Sequence, residues 1–336
     1  MAIVKPFKAV RPSRDKVALV SSKSFDAYTD KELDAKLEFN PFTFLHILNP
    51  GYKYHQEFFG EQRFQMIHNR YEEFKDNTIF IKDETASFYI YESSDAHDCF
   101  CGIIAATAVE DYTNGIIKKH EGTIKKREQL FETYLKTTGF NAEPVLLTYK
   151  DDKKFNTLLQ TLKKKRPEYE FSTTDKKLHR LWLVNDKEKK KKIISFFENR
   201  EALYIADGHH RSASSSLLKK DLQAENIHHK GDENYNFFMS YIIPESNLKI
   251  SEFNRFIKDL NGLSIDEFLI KLDKNYRIED RGEHFYKPSQ KHHFSMYLGG
   301  KFYSLYLRKS LSLNEDALSK LDAEILHQTI LKPILG

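Results

Sequence analysis

The chain has 336 residues, of which 40% are hydrophobic and 30% are charged, and its formal net charge is +4 at pH 7. That length is too great for one small core, so we expect two or three domains or one elaborated α/β domain. No apolar run approaches the roughly 20 residues that a membrane span needs. The mild positive charge does not indicate a nucleic-acid partner. Two cysteines, Cys99 and Cys101, are too few for a disulfide framework, so we expect a cytoplasmic protein.

The N-terminal region, residues 1–98, is predicted to mix helices and strands. Its predicted elements are a strand at 7–10, a helix at 30–39, an apolar run at 42–47, an amphipathic helix at 55–77 and a β-hairpin at 79–92. The long helix is indicated by aromatic and aliphatic residues that recur at helical spacing, and the hairpin by two alternating runs.

Residues 99–232 are predicted to form a mixed α+β core. The strand at 99–109 consists almost entirely of small or apolar residues, so we expect both of its faces to be buried. The remaining predicted elements are helices at 124–138, 153–165 and 186–198, and strands at 144–149, 171–175, 177–184 and 202–206. Strands that alternate with helices favour a mixed sheet covered by helices.

Residues 233–336 form a third predicted region, also α+β. Its predicted elements are a buried strand at 237–244, a strand and a helix within 248–262, a helix at 264–272, a hairpin at 292–308 and a last helix at 319–333. The pairs Asn261-Gly262 and Gly299-Gly300 supply the turns that end the first helix and connect the hairpin.

The segment 203–217 is the most informative part of the sequence, because an apolar strand leads directly into the run Asp-Gly-His-His-Arg. Gly208 allows a sharp turn and a close approach of the backbone to a ligand. A helix that starts there offers free N–H groups to a phosphate or carboxylate, and Arg211 can bind such an anion through two nitrogens. Asp207 can hold Mg²⁺, which prefers oxygen ligands. The alternative is a helix N-cap at Asp207 followed by a solvated turn.

A second polar segment, 110–123, also follows an apolar strand. If the two strands are neighbours, both turns open at the same edge of the sheet, where α/β proteins bind ligands. Glu121 is a candidate general base, and Lys118 or Lys119 a candidate partner for an anion. The alternatives are a surface or capping role for Glu121 and solvated lysines. Glu110 and Asp207 are the next candidates for the base.

Zinc is not predicted, because adjacent side chains of a histidine doublet rarely bind one ion. The doublets are His209-His210, His228-His229 and His292-His293. The sequence contains no H-E-x-x-H or C-x-x-C spacing, no P-loop, no G-x-G-x-x-G and no G-x-S-x-G.

Several segments together resemble the family called domain of unknown function ten-fifteen. They include ADGHHRSAS, VEDYTNGIIKKHEGT, NAEPVLLTY, KLHRLWLVND and FNRFIKDLNG. The family pattern continues past Gly336, so we expect the region 233–336 to be shorter than in the family. That family is in turn similar to free serine kinases built on the ParB/sulfiredoxin-type fold, which make O-phospho-L-serine from L-serine with ATP or ADP and Mg²⁺.

The serine-kinase resemblance implies roles for two turns of this chain. The turn Lys-Lys-His-Glu at 118–121 matches a Lys-Pro-His-Glu-like motif, with lysine in place of proline, and 207–211 matches an Asp-Gly-His-x-Arg-like motif. The residues that the resemblance implies are Glu121, Asp207 and His209 for catalysis, Asp207 for the metal, Gly208, His209, His210, Arg211 and Ser212 for the nucleotide, and Lys119, His120 and Thr123 for the substrate.

Two other functions stay open at this point. A ParB-like switch would bind or hydrolyse a nucleoside triphosphate without serine and would not need Glu121. A catalytically silent scaffold protein would keep the fold alone.

Overall fold

The structure, a computed structural model, describes residues 1–250, 252, 254–311 and 316–336. The chain folds into two compact units, Met1–Ile250 and Ser251–Gly336. The predicted regions 1–98 and 99–232 fall together in the first unit, because strands from both of them pair in one sheet. The strand at Phe237–Pro244, predicted in the third region, also belongs to this sheet.

The first unit is built from short strands and helices that alternate along the chain. Its strands are β1 (Val4–Lys5), β2 (Val10–Pro12), β3 (Phe80–Lys82), β4 (Phe88–Ser94), β5 (Cys99–Ala108), β6 (Ile117–Lys118), β7 (Val145–Tyr149), β8 (Tyr169–Ser172), β9 (Leu178–Val184), β10 (Leu203–Asp207) and β11 (Phe237–Pro244). Its α-helices are α1 (Val17–Val20), α2 (Asp30–Phe39), α3 (Leu45–Leu48), α4 (Gly60–Asp76), α5 (Val109–Thr113), α6 (Lys125–Thr138), α7 (Lys153–Lys163), α8 (Lys187–Glu198) and α9 (His209–Glu225). Short 3₁₀ turns lie at Phe25–Ala27, Tyr52–Tyr54, Asn234–Asn236 and Glu245–Asn247.

Within the described residues, nine strands form one mixed sheet in the order β6-β10-β7-β11-β5-β4-β9-β8, and β1 pairs with the end of β5. The predicted α+β class is therefore confirmed. β5 lies inside the sheet, between β11 and β4, and most of its side chains are buried, as its apolar sequence predicts.

The helices that cover the sheet begin at residues suited to their N-termini. The Asp152 carboxylate accepts a hydrogen bond from the Phe155 amide at 2.9 Å and starts α7. Asp186 does the same for the Lys189 amide at 2.9 Å and starts α8. Each carboxylate satisfies an amide that has no partner within its helix.

Aromatic packing fixes α7 and α8 against the sheet. The rings of Phe155 and Phe196 stack with centroids 3.6 Å apart, and Phe197 meets Phe155 edge to face at 5.6 Å. The ring of Tyr149, on β7, meets all three rings edge to face. Burial of these large rings contributes strongly to the stability of the core.

The predicted hairpin at 79–92 is wrong. β3 pairs with β2 in a separate two-stranded sheet, whereas β4 pairs with β5 on one side and β9 on the other. Phe88, Tyr89 and Ile90 are all buried, so both faces of β4, an internal strand of the large sheet, are covered. A two-stranded hairpin could not bury those side chains on both faces.

The second unit has a three-stranded antiparallel sheet in the order β12-β14-β13. Its elements are α10 (Ile265–Asp273), β12 (Tyr276–Gly282), β13 (His293–Leu298), β14 (Lys301–Leu307) and α11 (Asp322–Leu326), which continues as a π-helix over His327–Leu335. The predicted helix at 264–272 and the hairpin around Gly299-Gly300 are confirmed.

Two predictions for the second unit are wrong. Residues 254–262 are irregular rather than helical, and they end in a turn where Asn261 and Gly262 both have positive φ. Positions 251 and 253 of the predicted segment lie outside the described residues. The last helix starts at Asp322 rather than 319 and runs past Pro333. Among the described residues, no helix is both long and apolar enough to span a membrane.

Replacement of Ile117 tests how firmly the core holds β6. Ile117 is fully buried, so Ile117→Ala removes one methylene and two methyl groups from the core and leaves a cavity. We expect the free energy of unfolding to fall by about 2–5 kcal/mol. Urea unfolding followed by circular dichroism measures this change. Ile227→Ala is the matched control, because Ile227 is 89% exposed, and its effect is expected to stay within about 0.5 kcal/mol. Equal losses in both variants would show that β6 is not part of the stable core.

Candidate functional site

The two polar turns lie side by side because β6 and β10 are parallel neighbours. Leu203 pairs with Ile117, and Tyr204 pairs with Lys118. Parallel strands end at the same edge of a sheet, so the residues that follow β6 open beside those that follow β10. The strand that brings the segment 110–123 beside β10 is the short β6, and not the long β5 that precedes residue 110. β7 and β11 separate β5 from β10.

Gly208 makes the turn from β10 into α9. Its φ is +99°, a conformation that residues with a side chain rarely adopt. A Cβ atom at this position would lie 3.3 Å from the Val145 Cα and 3.3 Å from the Arg211 Cζ. Glycine therefore supplies the predicted turn and also the space that the backbone of Val145 and the guanidinium of Arg211 need beside it. The first N–H groups of α9, which lack acceptors within the helix, begin at this point.

His120, Glu121 and His209 meet where the two turns adjoin. One ligand atom from each, an imidazole nitrogen or a carboxylate oxygen, lies within 4.8 Å of the others. The His120 amide donates a hydrogen bond to Nε2 of His209 at 3.4 Å, and the two rings meet edge to face with centroids 4.3 Å apart. The side chains of His120 and Glu121 are 38% and 62% exposed, whereas His209 is 5% exposed.

Burial of the His209 imidazole favours its neutral form. Burial lowers its pKa below the usual value, and the neighbouring imidazole of His120 lowers it further, while Glu121 and Asp207 oppose the shift. A neutral ring has one nitrogen free to accept a hydrogen bond, and here that nitrogen is Nε2. The next residue, His210, has a buried Nδ1 atom without a hydrogen-bond partner among the described residues.

Arg211 is engaged by protein groups. Its Nη2 donates to Oδ2 of Asp207 at 2.6 Å, and its Nη1 donates to the Pro144 carbonyl and lies 3.3 Å from Oε2 of Glu143. Glu143 and Pro144 are not among the site residues predicted from the sequence. The sequence feature that could have identified them is their position directly before β7, an apolar strand that neighbours β10. Asp207 is thus both the end of β10 and the ion-pair partner of Arg211.

Ser212 does not face an open site. It is fully buried, and both its amide and its hydroxyl donate to the Gly208 carbonyl, at 3.0 and 3.2 Å. The predicted nucleotide contact through its side chain is therefore not available in this structure. Ser214 and Ser215 likewise donate to carbonyls one turn back, so the small-residue run serves helix packing.

The remaining candidate residues have partners of their own. The Lys119 ammonium lies 3.7 Å from the centroid of the Tyr112 ring, and the Thr123 hydroxyl donates to Glu128. Glu110, the reserve candidate for a base, pairs with Lys219, and this hydrogen bond lowers the pKa of Glu110. Glu110 is consequently a weaker proton acceptor than an unpaired carboxylate.

Two open grooves of about 620 and 690 Å³ lie elsewhere in the first unit, and neither includes the turns at 118–121 and 207–211. One is lined by residues such as Lys16, Phe42 and Arg70, and the other by residues such as Tyr28 and Phe39. In the first groove the charged side chains form ion pairs, Lys16 with Asp15 and Arg70 with Glu73. The chemistry-bearing residues are therefore on an open edge of the sheet and not in these grooves.

The fold and the geometry define an α+β protein with a candidate anion-binding edge made of two turns. The family model described as "Protein of unknown function (DUF1015)" matches residues 4–324, and the chain belongs to this family. No curated protein and no solved structure matches the chain.

Substitution of Gly208 tests the close approach at the start of α9. Gly115→Ala is the matched control, because Gly115 also has a positive φ, +73°, but no atom lies within 4 Å of the place that its Cβ would take. We expect Gly115→Ala to lose about 1 kcal/mol from backbone strain alone and Gly208→Ala to lose about 2–3 kcal/mol, since it also crowds Val145 and Arg211. Denaturant unfolding measures both. Equal losses would mean that the space at Gly208 is not restricted.

Proposed function

We propose that this chain is a kinase that transfers a phosphoryl group from ATP or ADP to the hydroxyl of free L-serine, giving O-phospho-L-serine in the cytoplasm. The observation that carries the proposal is the position of Glu121. Its exposed carboxylate lies within 4.8 Å of the His209 imidazole at the first residue of α9. A proton acceptor beside a helix N-terminus is what an enzyme needs to direct a hydroxyl at a phosphate.

The start of α9 would bind the nucleotide phosphates. Its amides and the positive end of its dipole favour an anion, and Gly208 leaves room for close approach. His210 adds to this turn a buried Nδ1 atom that has no hydrogen-bond partner among the described residues. A ParB/sulfiredoxin-type arrangement of this core is part of the proposal.

Asp207 fits the Mg²⁺ ion that accompanies a nucleotide. Its carboxylate is 70% exposed at the end of β10, beside the helix N-terminus, and oxygen is the ligand that Mg²⁺ prefers. The ion would neutralise charge on the phosphates when bound. Phosphoryl transfer needs mainly positioning and charge neutralisation, so the protein has little covalent chemistry to perform.

Glu121 would accept the proton of the serine hydroxyl. The serine oxygen forms a bond to the terminal phosphorus, the bond from that phosphorus to the bridging oxygen breaks, and ADP or AMP leaves. A general base in this position contributes on the order of 100- to 10,000-fold in rate. Lys119 is the candidate for the serine carboxylate, because its ammonium is exposed and is held beside the Tyr112 ring. His120 and Thr123 complete the proposed serine side of the site.

Replacement of Glu121 tests the base. Glu121→Gln keeps the shape but cannot take the proton, so we expect turnover of L-serine to fall 100-fold or more with unchanged nucleotide affinity. Phosphoserine formation and the thermal midpoint of the purified variant are the measurements. Glu110→Gln is the matched control and is expected to retain turnover, because Glu110 is already paired with Lys219.

The same assay separates the proposed function from its alternatives. Nucleotide hydrolysis that does not need L-serine would instead indicate a nucleotide switch. Absence of both products in the folded protein would leave a scaffold role. Normal turnover in a folded Glu121→Gln protein would place the base at another residue.

Arg211 is expected to contact the nucleotide. Arg211→Ala should weaken ADP or ATP binding by about 2–4 kcal/mol, the cost of a lost charge-assisted hydrogen bond to an anion. Isothermal titration calorimetry measures the affinity. Glu143→Gln, which removes a charged partner but leaves the guanidinium, is expected to leave the affinity unchanged or to raise it. If Arg211→Ala binds the nucleotide as tightly as the parent chain, Arg211 serves only as a structural ion pair.

A further inference from the structure

One group of histidine and acidic side chains in the described part of the chain is close enough to share an ion: His120, Glu121 and His209. We propose that this group, the His-Glu-His cluster, is a binding site for a transition-metal ion of the Zn²⁺ class. Neither the histidine doublets nor any motif spacing in the sequence predicts this site. The cluster instead joins His209 to His120 and Glu121, and the pairing of β6 with β10 brings their two turns together. His120 and Glu121 are adjacent in the chain, but their Nε2 and Oε1 atoms converge to 3.7 Å.

The chemistry of the donors selects the class of metal. Imidazole nitrogen is a preferred ligand of Zn²⁺, Co²⁺ and Ni²⁺, whereas Mg²⁺ prefers an octahedron of oxygens. Two imidazoles and one carboxylate are a ligand set that zinc enzymes use, with a further position left open to water or substrate. The cluster is therefore distinct in kind from the proposed Mg²⁺ ligand Asp207.

The geometry is close to that of a bound ion. Bonds of about 2.0–2.1 Å in a tetrahedral site place neighbouring donor atoms roughly 3.4 Å apart. In the structure the three donor atoms lie within 4.8 Å of one another, so a shift of about 1 Å closes the site. His120 and Glu121 can make that shift, because their side chains are 38% and 62% exposed.

His209 supplies the fixed part of the site. It is buried at the first residue of α9, and its Nε2 atom already faces the turn that carries His120 and Glu121. The hydrogen bond that Nε2 accepts from the His120 amide is long, 3.4 Å, so a metal ion would replace a weak interaction. One rigid ligand and two adjustable ligands allow the ion to enter without unfolding of the turn.

Zinc binding has a consequence that rests on the proposed function. A metal ion bound to the Glu121 carboxylate lowers the affinity of that carboxylate for the serine proton. Zn²⁺ is then an inhibitor of serine phosphorylation that acts at the base, whereas Mg²⁺ supports the reaction at the nucleotide. The binding itself does not depend on the kinase activity.

The test measures metal binding first, without nucleotide or serine. Zn²⁺ is titrated calorimetrically into the full chain, freed of any affinity tag, in excess Mg²⁺, and Co²⁺ absorption reports the coordination. We expect one saturable site that His120→Ala, Glu121→Gln and His209→Ala each weaken at least tenfold. His229→Ala is the matched control, because His229 pairs with a carboxylate, Glu233, at 3.1 Å but lies outside the cluster. It is expected to bind Zn²⁺ as the parent chain does.

The outcomes separate the metal site from the kinase. The absence of saturable Zn²⁺ binding, or an equal loss in His229→Ala and His120→Ala, overturns the metal site. Because His120 and Glu121 are exposed, their variants keep the test valid even if His209→Ala does not fold. Specific Zn²⁺ binding without any phosphoserine formation supports the site and refutes the kinase. Phosphoserine formation that saturating Zn²⁺ leaves unchanged overturns the inhibitory consequence.

Discussion

The parallel pairing of β6 with β10 is the contact on which the candidate site depends. It joins Ile117 to Leu203, two fully buried residues, and so ties the bases of both turns to one hydrophobic core. Above this anchor, His120 and Glu121 are exposed and able to adjust, while His209 is buried in the first turn of α9. The core therefore fixes where the turns meet, and the exposed side chains keep the freedom that a ligand requires.

Local signals in the sequence predict much of the fold. The helix at Asp30–Phe39 has the predicted bounds. The start of α9 follows from Gly208, because glycine is the residue type that adopts its φ of +99° without strain. The apolar run of β5 correctly indicates a strand buried on both faces. Each of these inferences rests on residues that are neighbours in the chain or recur at one helical or strand period.

Pairings between distant segments explain what the sequence could not predict. β4 pairs with β5 and β9 rather than with β3, and this internal position covers Phe88 and Ile90 on one face of the strand and Tyr89 on the other. The parallel partner of β10, β6, is only two residues long, which is too short to give a periodic signal. For the same reason the His-Glu-His cluster could not be found from spacing, since its members come from turns almost 90 residues apart.

Arg211 shows how ion pairs prepare the proposed nucleotide site. Its guanidinium is held by Asp207 and by the Pro144 carbonyl, while Glu143, 69% exposed, is a partner that water can replace at little cost. A phosphate carries more charge than a carboxylate and can bind two guanidinium nitrogens. An incoming nucleotide can thus displace Glu143 while the other two partners keep Arg211 in place. The conformational entropy of this long side chain is then lost during folding rather than during binding, so the nucleotide binds with a more favourable free energy.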